Sequence, residues 1–128
     1  AILLDSAYYE WTVSGRVEVD GLSIARQEHL IPLKAKAWLD LTARKAAGEP
    51  VDRRDIQKHR NDVFRLYAFA NPDFAMNPAP AIRTDMQEFI DRTRGESIDL
   101  RRLGLERETV DSVLAALAER YVPKGAHE

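Results

Sequence analysis

The sequence predicts an α+β domain in which short N-terminal antiparallel strands precede a bundle of about four to five helices. Two observations support this class. Residues 1–25 are rich in apolar, aromatic and β-branched side chains and contain Asp20-Gly21, a pair typical of tight hairpins. From residue 26 onward, apolar residues recur at spacings of three and four, which indicates helices that each bury one face.

Length and composition favour one compact domain. The chain has 128 residues, of which 45% are hydrophobic and 31% charged, so it can bury a single core and is not a disordered tail. We expect one domain over 1–128, divided into a strand-rich part (1–25), a helical part (26–122) and a frayed tail (123–128).

Charge and residue usage exclude several classes of protein. A net charge of -2 argues against a globally basic nucleic-acid binder. The chain has no Cys, and therefore no disulfide framework, and it has no apolar run long enough to cross a bilayer. We predict a cytoplasmic protein without a membrane partner.

The individual strands are predicted from short patterns. Residues 1–5 read as a strand, and residues 8–14 are compatible with either a strand or a short helix. Residues 16–20 and 22–25 flank Asp20-Gly21 and suggest a hairpin.

The helices are bounded by local start and stop signals. They are expected at about residues 27–47 and 52–70, then from the Pro-rich segment 77–80 to about residue 93, and from about 106 to 121. Gly48 followed by Pro50 ends the first helix, and Asp52 is the N-cap of the second. The apolar stripes of these two helices are predicted at Leu30, Leu33, Ala37, Trp38 and Leu41, and at Ile56, His59, Val63, Leu66, Tyr67 and Ala70.

A line of polar side chains runs along the second of these helices. Asp55, Lys58, Asp62 and Arg65 are spaced so that they share one side of a helix, and His59 lies beside them. From spacing alone, the simplest interpretation is a solvated face whose ion pairs contribute about 0.2 to 0.5 kcal/mol each. The preceding helix carries two lysines, which is unusual in so apolar a segment.

These polar elements resemble a known family. The chain has LKAKAWLDL on the first helix and Arg54-Asp55-Ile56 at the start of the second, continuing as KHRNDVFRL. A lysine on one helix and an R-D-(I/L) motif opening the next resemble the nucleotidyltransferase-like toxins of the abortive-infection type, the AbiEii-like family. The resemblance covers about residues 1–70 and implies a metal-dependent transfer of a nucleotide from a nucleoside triphosphate to an acceptor, in a toxin-antitoxin or phage-defence setting.

The resemblance also implies roles for individual side chains. Lys36, or less favoured Lys34, would neutralise triphosphate oxygens, and Asp55 would orient that lysine or the acceptor. The expected catalytic residues are therefore Lys36 and Asp55, and we expect these two side chains to approach each other across the two helices. The expected substrate-binding residues are Lys34, Lys58, His59, Asp62 and Arg65.

The chain departs from the family pattern in two places. It has no Gly-Ser motif followed by metal-binding acids, and the usual second acid of the R-D-x-x-D pattern is replaced by Lys58, with the next acid at Asp62. We therefore expect a C-terminal portion that is inactive alone. Mg2+ and a nucleoside triphosphate are expected for the intact protein, in which the missing half would supply most of the metal ligands. Residues 1–25 would be the strand-rich remnant of the nucleotidyltransferase domain, and we expect an unpaired edge or an apolar patch near them.

Two other functions remain open at this stage. In the transfer reaction, the acceptor of the nucleotide would be an RNA or a protein. Alternatively, the helices could form a non-catalytic module that binds an antitoxin protein or a nucleic acid. A continuous positive patch from Arg53, Arg54 and Lys58 to the arginines of the third helix would favour such a module. A purely structural helical domain would leave the Asp55 to Arg65 line fully solvated and away from any cleft.

Overall fold

The computed structural model describes residues 6–14, 16–19, 22–70, 74 and 76–122. In these ranges the chain forms helices α1 (Ser6–Ser14), α2 (Gln27–Ala46), α3 (Arg53–Phe69), α4 (Pro80–Thr93) and α5 (Val110–Tyr121), a 3-10 helix (Leu100–Leu103), and strands β1 (Arg16–Val19) and β2 (Leu22–Ala25). The predicted strand over 1–5 and the tail over 123–128 lie outside the described residues.

The fold class is helical, and the predicted α+β class is wrong. Helices supply most of the described core, to which Phe74 and Leu105 are added from the connecting segments, and no sheet forms a layer against which the helices pack. β1 and β2 pair antiparallel with each other, with Val19 opposite Leu22, but neither packs extensively on a helix. The side chains of this segment, where an exposed edge or apolar patch was expected, lie outside the described residues.

α1 forms where the sequence allowed either a strand or a helix. Its Tyr8 and Trp11 are three residues apart and both are buried, which a helix permits and the alternating faces of a strand do not. The Trp11 indole N–H donates to the carbonyl oxygen of His29 at 2.8 Å, and the two rings lie 4.6 Å apart. These contacts dock α1 on the start of α2.

α2 is the central helix, and it packs against α1, α3 and α4. Its buried side chains include Ile31, Ala35, Trp38 and Leu39. Of the five residues predicted to form the apolar stripe of this helix, only Trp38 is buried. The prediction assumed that one face is buried, whereas α2 has neighbours on several sides. The Trp38 ring meets Phe89 of α4 edge-on, with 5.3 Å between ring centroids.

A tight connection makes α2 and α3 antiparallel neighbours. The amide of Gly48 donates to the carbonyl of Lys45, and the amide of Glu49 donates to that of Arg44, which is the Schellman arrangement. Gly48 has φ of 91°, a conformation that favours glycine. Asp52 then caps α3 by accepting from the amide of Arg54 at 2.8 Å. Both end signals predicted from the sequence are confirmed.

The C-terminal helices close the other side of α2. α4 buries Ile82, Met86, Phe89 and Ile90, which recur at helical spacing, and packs on α5. α5 begins at Val110 rather than near 106, because Thr109 and Ser112 form a reciprocal capping box that starts the helix there. None of the described helices is long and apolar enough to span a bilayer.

Candidate functional site between α2 and α3

Lys34 and Lys36 of α2 face different parts of the fold. Two residues correspond to a rotation of about 200° on an α-helix, so Lys34 and Lys36 project to opposite sides. Lys34 points toward α3, and Lys36 points toward α1 and α4. Which lysine meets the polar line of α3 is therefore settled by the orientation of α2 in the bundle.

Lys34, Asp62 and Arg65 form a three-membered charge cluster across the two helices. The Nζ atom of Lys34 lies 3.1 Å from Oδ2 of Asp62, and Nη1 of Arg65 lies 3.0 Å from Oδ1. The Asp62 side chain is 13% exposed, whereas those of Lys34 and Arg65 are 32% and 51% exposed. One nearly buried carboxylate thus holds two cations whose outer faces are open, and the cluster has a net positive charge.

His59 lies on the α3 side of this cluster. Burial, and to a lesser degree the positive charge of Lys34, lower the pKa of His59 below its ordinary value of 6.5, and the Asp62 carboxylate offsets part of this effect. The Nδ1 atom of His59 is buried and has no hydrogen-bond partner among the described residues. His59 is therefore a neutral imidazole at pH 7 and adds no charge to the cluster.

A groove opens beside the charge cluster. It has a volume of about 310 Å3 and runs between the first half of α2 and the second half of α3. The Lys34, Asp62 and Arg65 side chains occupy one part, and the rest is apolar except for one amide. The additional lining residues are Gln27, Leu30, Leu66 and Phe69.

Lys36 belongs to a separate cluster on the other side of α2. Its Nζ atom lies 3.3 Å from Oδ1 of Asp40 and 3.7 Å from Oδ2 of Asp85, and 5.9 Å from the centre of the Tyr8 ring. The Tyr8 hydroxyl donates to the same Asp85 oxygen at 2.9 Å. These contacts join α1, α2 and α4 and identify Lys36 as a residue that holds the helices together.

Asp55 and Lys58 lie at the exposed start of α3. Both side chains are exposed, and among the described residues no ion pair joins Asp55 to Lys36. The expected approach of these two side chains therefore does not form. The charge contact between α2 and α3 is made one turn or more further along α3, by Asp62.

The described residues provide no metal site. No three carboxylate or imidazole side chains converge in the described part of the chain. Asp62, the acid at the groove, uses one oxygen for Lys34 and the other for Arg65. The expected Mg2+ therefore does not fit the donor groups of the described residues, and no role is assigned to these residues in holding it.

Three arginines of the expected positive patch pair with nearby carboxylates. Arg54 pairs with Asp52 at 3.0 Å, and Arg92 pairs with Glu88 at 3.3 Å. Arg94 likewise lies 3.7 Å from a carboxylate of its own helix. These three cations are matched locally, which reduces the positive charge that they could contribute to a nucleic-acid interface, whereas Arg53 and Lys58 are exposed.

Phe69 and Gln27 are groove residues that the sequence did not single out, and Phe69 is the more exposed apolar one. It ends α3 with 70% of its surface exposed, the most of the large hydrophobic residues in the described chain. Its position seven residues after Asp62 places it on the same side of the helix, and that spacing was a usable signal. Phe69 therefore leaves an aromatic face accessible at the end of the groove away from the charge cluster.

No protein-family model, curated protein or solved structure matches this chain.

Proposed function

We propose that this chain supplies the phosphate-binding wall of a nucleotidyltransferase-like protein, acting in a toxin-antitoxin or phage-defence setting. The observation that carries the proposal is the pair of cations, Lys34 and Arg65, oriented by the nearly buried Asp62 at the edge of a groove. Cations held in place and partly desolvated are suited to phosphate oxygens, because charge-assisted hydrogen bonds are the strong ones.

Within this proposal the roles of the lysines are exchanged relative to the sequence-based expectation. Lys34 would contact phosphate oxygens directly and Arg65 would bind in parallel through its planar guanidinium. Asp62 is a positioning residue, since one of its oxygens pairs with Lys34 and the other with Arg65, and its side chain is 13% exposed. Lys58 adds positive charge one turn before Asp62, and neutral His59 lines the polar side of α3 without repelling the cations.

Binding of inorganic tripolyphosphate by the chain tests the proposal. Isothermal titration calorimetry at low ionic strength should detect binding by the wild-type chain, which weakens as salt is added. Lys34→Met should reduce the affinity roughly 10- to 100-fold, because a hydrogen bond to a charged group contributes about 1.5 to 3 kcal/mol. Arg65→Met should have an effect of similar size.

Lys45→Met is the matched control. Lys45 lies on the same helix with an exposed side chain and donates to the carbonyl of Val51 at 3.1 Å, away from the groove. The Lys45→Met substitution should leave the affinity for tripolyphosphate unchanged. If Lys34→Met and Lys45→Met lose the same affinity for tripolyphosphate, binding depends only on the net charge of the chain, and the proposal is wrong.

A further inference from the structure

The groove beyond the charge cluster has a polarity gradient along its length. α2 and α3 are antiparallel, so Lys34 lies opposite Asp62 and the start of α2 lies near the end of α3. Going from Asp62 toward Phe69, the lining changes from charged to aliphatic, through Leu30 and Leu66, and then to an aromatic ring and the amide of Gln27.

Helix geometry gives the distance between the two ends of the groove. Seven residues separate Asp62 from Phe69, and seven separate Gln27 from Lys34. At 1.5 Å per residue each interval spans about 10 Å along the helix axis. This separation is suited to an extended ligand that carries phosphates at one end and a flat apolar group at the other.

We infer that the exposed Phe69 ring is a stacking platform for the base of a nucleoside triphosphate whose phosphates bind at Lys34 and Arg65. This inference depends on the proposed function. Aromatic side chains provide a face on which any base can stack. Leu30 and Leu66 would lie under the ribose, and the Gln27 amide, which both donates and accepts, can hydrogen-bond the edge of the base.

The exposure of Phe69 supports a ligand in this position. Its ring is 70% exposed at the end of the groove, although the adjoining Leu66 is partly buried against the core. The two cations at the other end select an anionic ligand over an apolar peptide. A purine, with the larger ring system, covers more of an aromatic face than a pyrimidine does, so purine nucleotides should bind more tightly.

A comparison of ATP with inorganic tripolyphosphate tests the platform separately from the phosphate site. Both ligands should bind the wild-type chain, ATP more tightly. Phe69→Ser should weaken ATP binding about 10-fold or more, which is the size of one base stacking contact, and should leave tripolyphosphate affinity unchanged. Phe69→Trp should retain ATP binding, and its indole fluorescence should change when ATP is added.

Tyr9→Ser is the control for loss of an exposed aromatic residue. Tyr9 is 58% exposed on α1, away from the groove, and its replacement should leave both affinities unchanged. Unchanged ATP affinity in Phe69→Ser would overturn the platform and leave the phosphate site intact. Absence of binding of both ligands to the wild-type chain would overturn the proposed function and the platform together.

Discussion

The Nζ atom of Lys34 lies 3.1 Å from Oδ2 of Asp62, and this ion pair ties the first half of α2 to the second half of α3. Asp62 also accepts from Arg65 at 3.0 Å, so the carboxylate is shared between two cations. The pair is partly buried, and it therefore affects both the packing of the helices and the charge presented to the groove.

The contribution of this ion pair to stability can be isolated with a double-mutant cycle. Lys34→Met, Asp62→Asn and the double variant should show a coupling of about 0.5 to 1 kcal/mol in the free energy of unfolding, since Lys34 is about a third exposed and solvent screens the attraction. Urea denaturation of the four proteins measures it. A coupling of zero would show that the two charges act independently and that Asp62 does not hold Lys34.

Lys36 should contribute to the stability of the fold and not to phosphate binding. Lys36→Met removes the cation that lies between Asp40 and Asp85 and should lower the free energy of unfolding by about 1 kcal/mol, because Asp85 then keeps only its bond from Tyr8 among these partners. Urea denaturation checks the stability, with Lys45→Met as the exposed control. If Lys36→Met is as stable as wild type, the ion pairs of Lys36 do not stabilise the fold, and Lys36 is again a candidate for ligand contact.

Stability should fall as the solution is acidified below about pH 6.5. Burial is the main cause that lowers the pKa of His29 and of His59 below the ordinary value of 6.5. As the pH falls below 6.5, the two histidines are protonated in the unfolded chain at a higher pH than in the folded chain. Protonation therefore favours the unfolded state, and stability present above pH 6.5 is lost as the pH falls through the lower pKa values of the folded state.

Urea midpoints measured between pH 7.5 and pH 5 check this dependence. The double variant His29→Gln with His59→Gln removes both groups and should flatten the slope over this interval, even if its stability is lower at every pH. A slope equal to that of wild type would assign the dependence to other groups.

Gly104 should be intolerant of alanine for reasons of backbone conformation. It ends the 3-10 helix with φ of 90°, and a Cβ there would meet the Ala68 Cβ at an ordinary 3.5 Å. The cost of Gly104→Ala is therefore conformational, about 1 to 2 kcal/mol in the free energy of unfolding. Gly104→Asn should cost less, because asparagine adopts this conformation more readily, and equal costs in thermal denaturation would contradict the explanation.

Helix ends were predictable from the sequence because they depend on groups within one turn of the chain. The cap at Asp52, the stop at Gly48 and the start of α4 at Pro80 involve hydrogen bonds or torsions of adjacent residues. The start of α5 was misplaced by several residues because the Thr109 cap, with Ser112 as its partner, was not recognised.

The polar residues of the site were predicted as a set, but their pairing was not. Lys34, Lys36, Asp62 and Arg65 were all singled out by their spacing and by the family resemblance. A helical pattern places residues on one side of their own helix, and it contains no information on which side of a neighbouring helix they meet. Lys36 was therefore expected to face α3, whereas Lys34 does.

What the sequence determined by itself is the local structure: where most helices begin and end, and which polar side chains share a face. Only the tertiary structure decided that residues 6–14 form α1, because the burial of both Tyr8 and Trp11 against distant residues selects the helix. It also decided that Lys34 faces α3 and that Phe69 stays exposed at the groove, since α2 is packed on three sides and its rotation is set by contacts far apart in the chain.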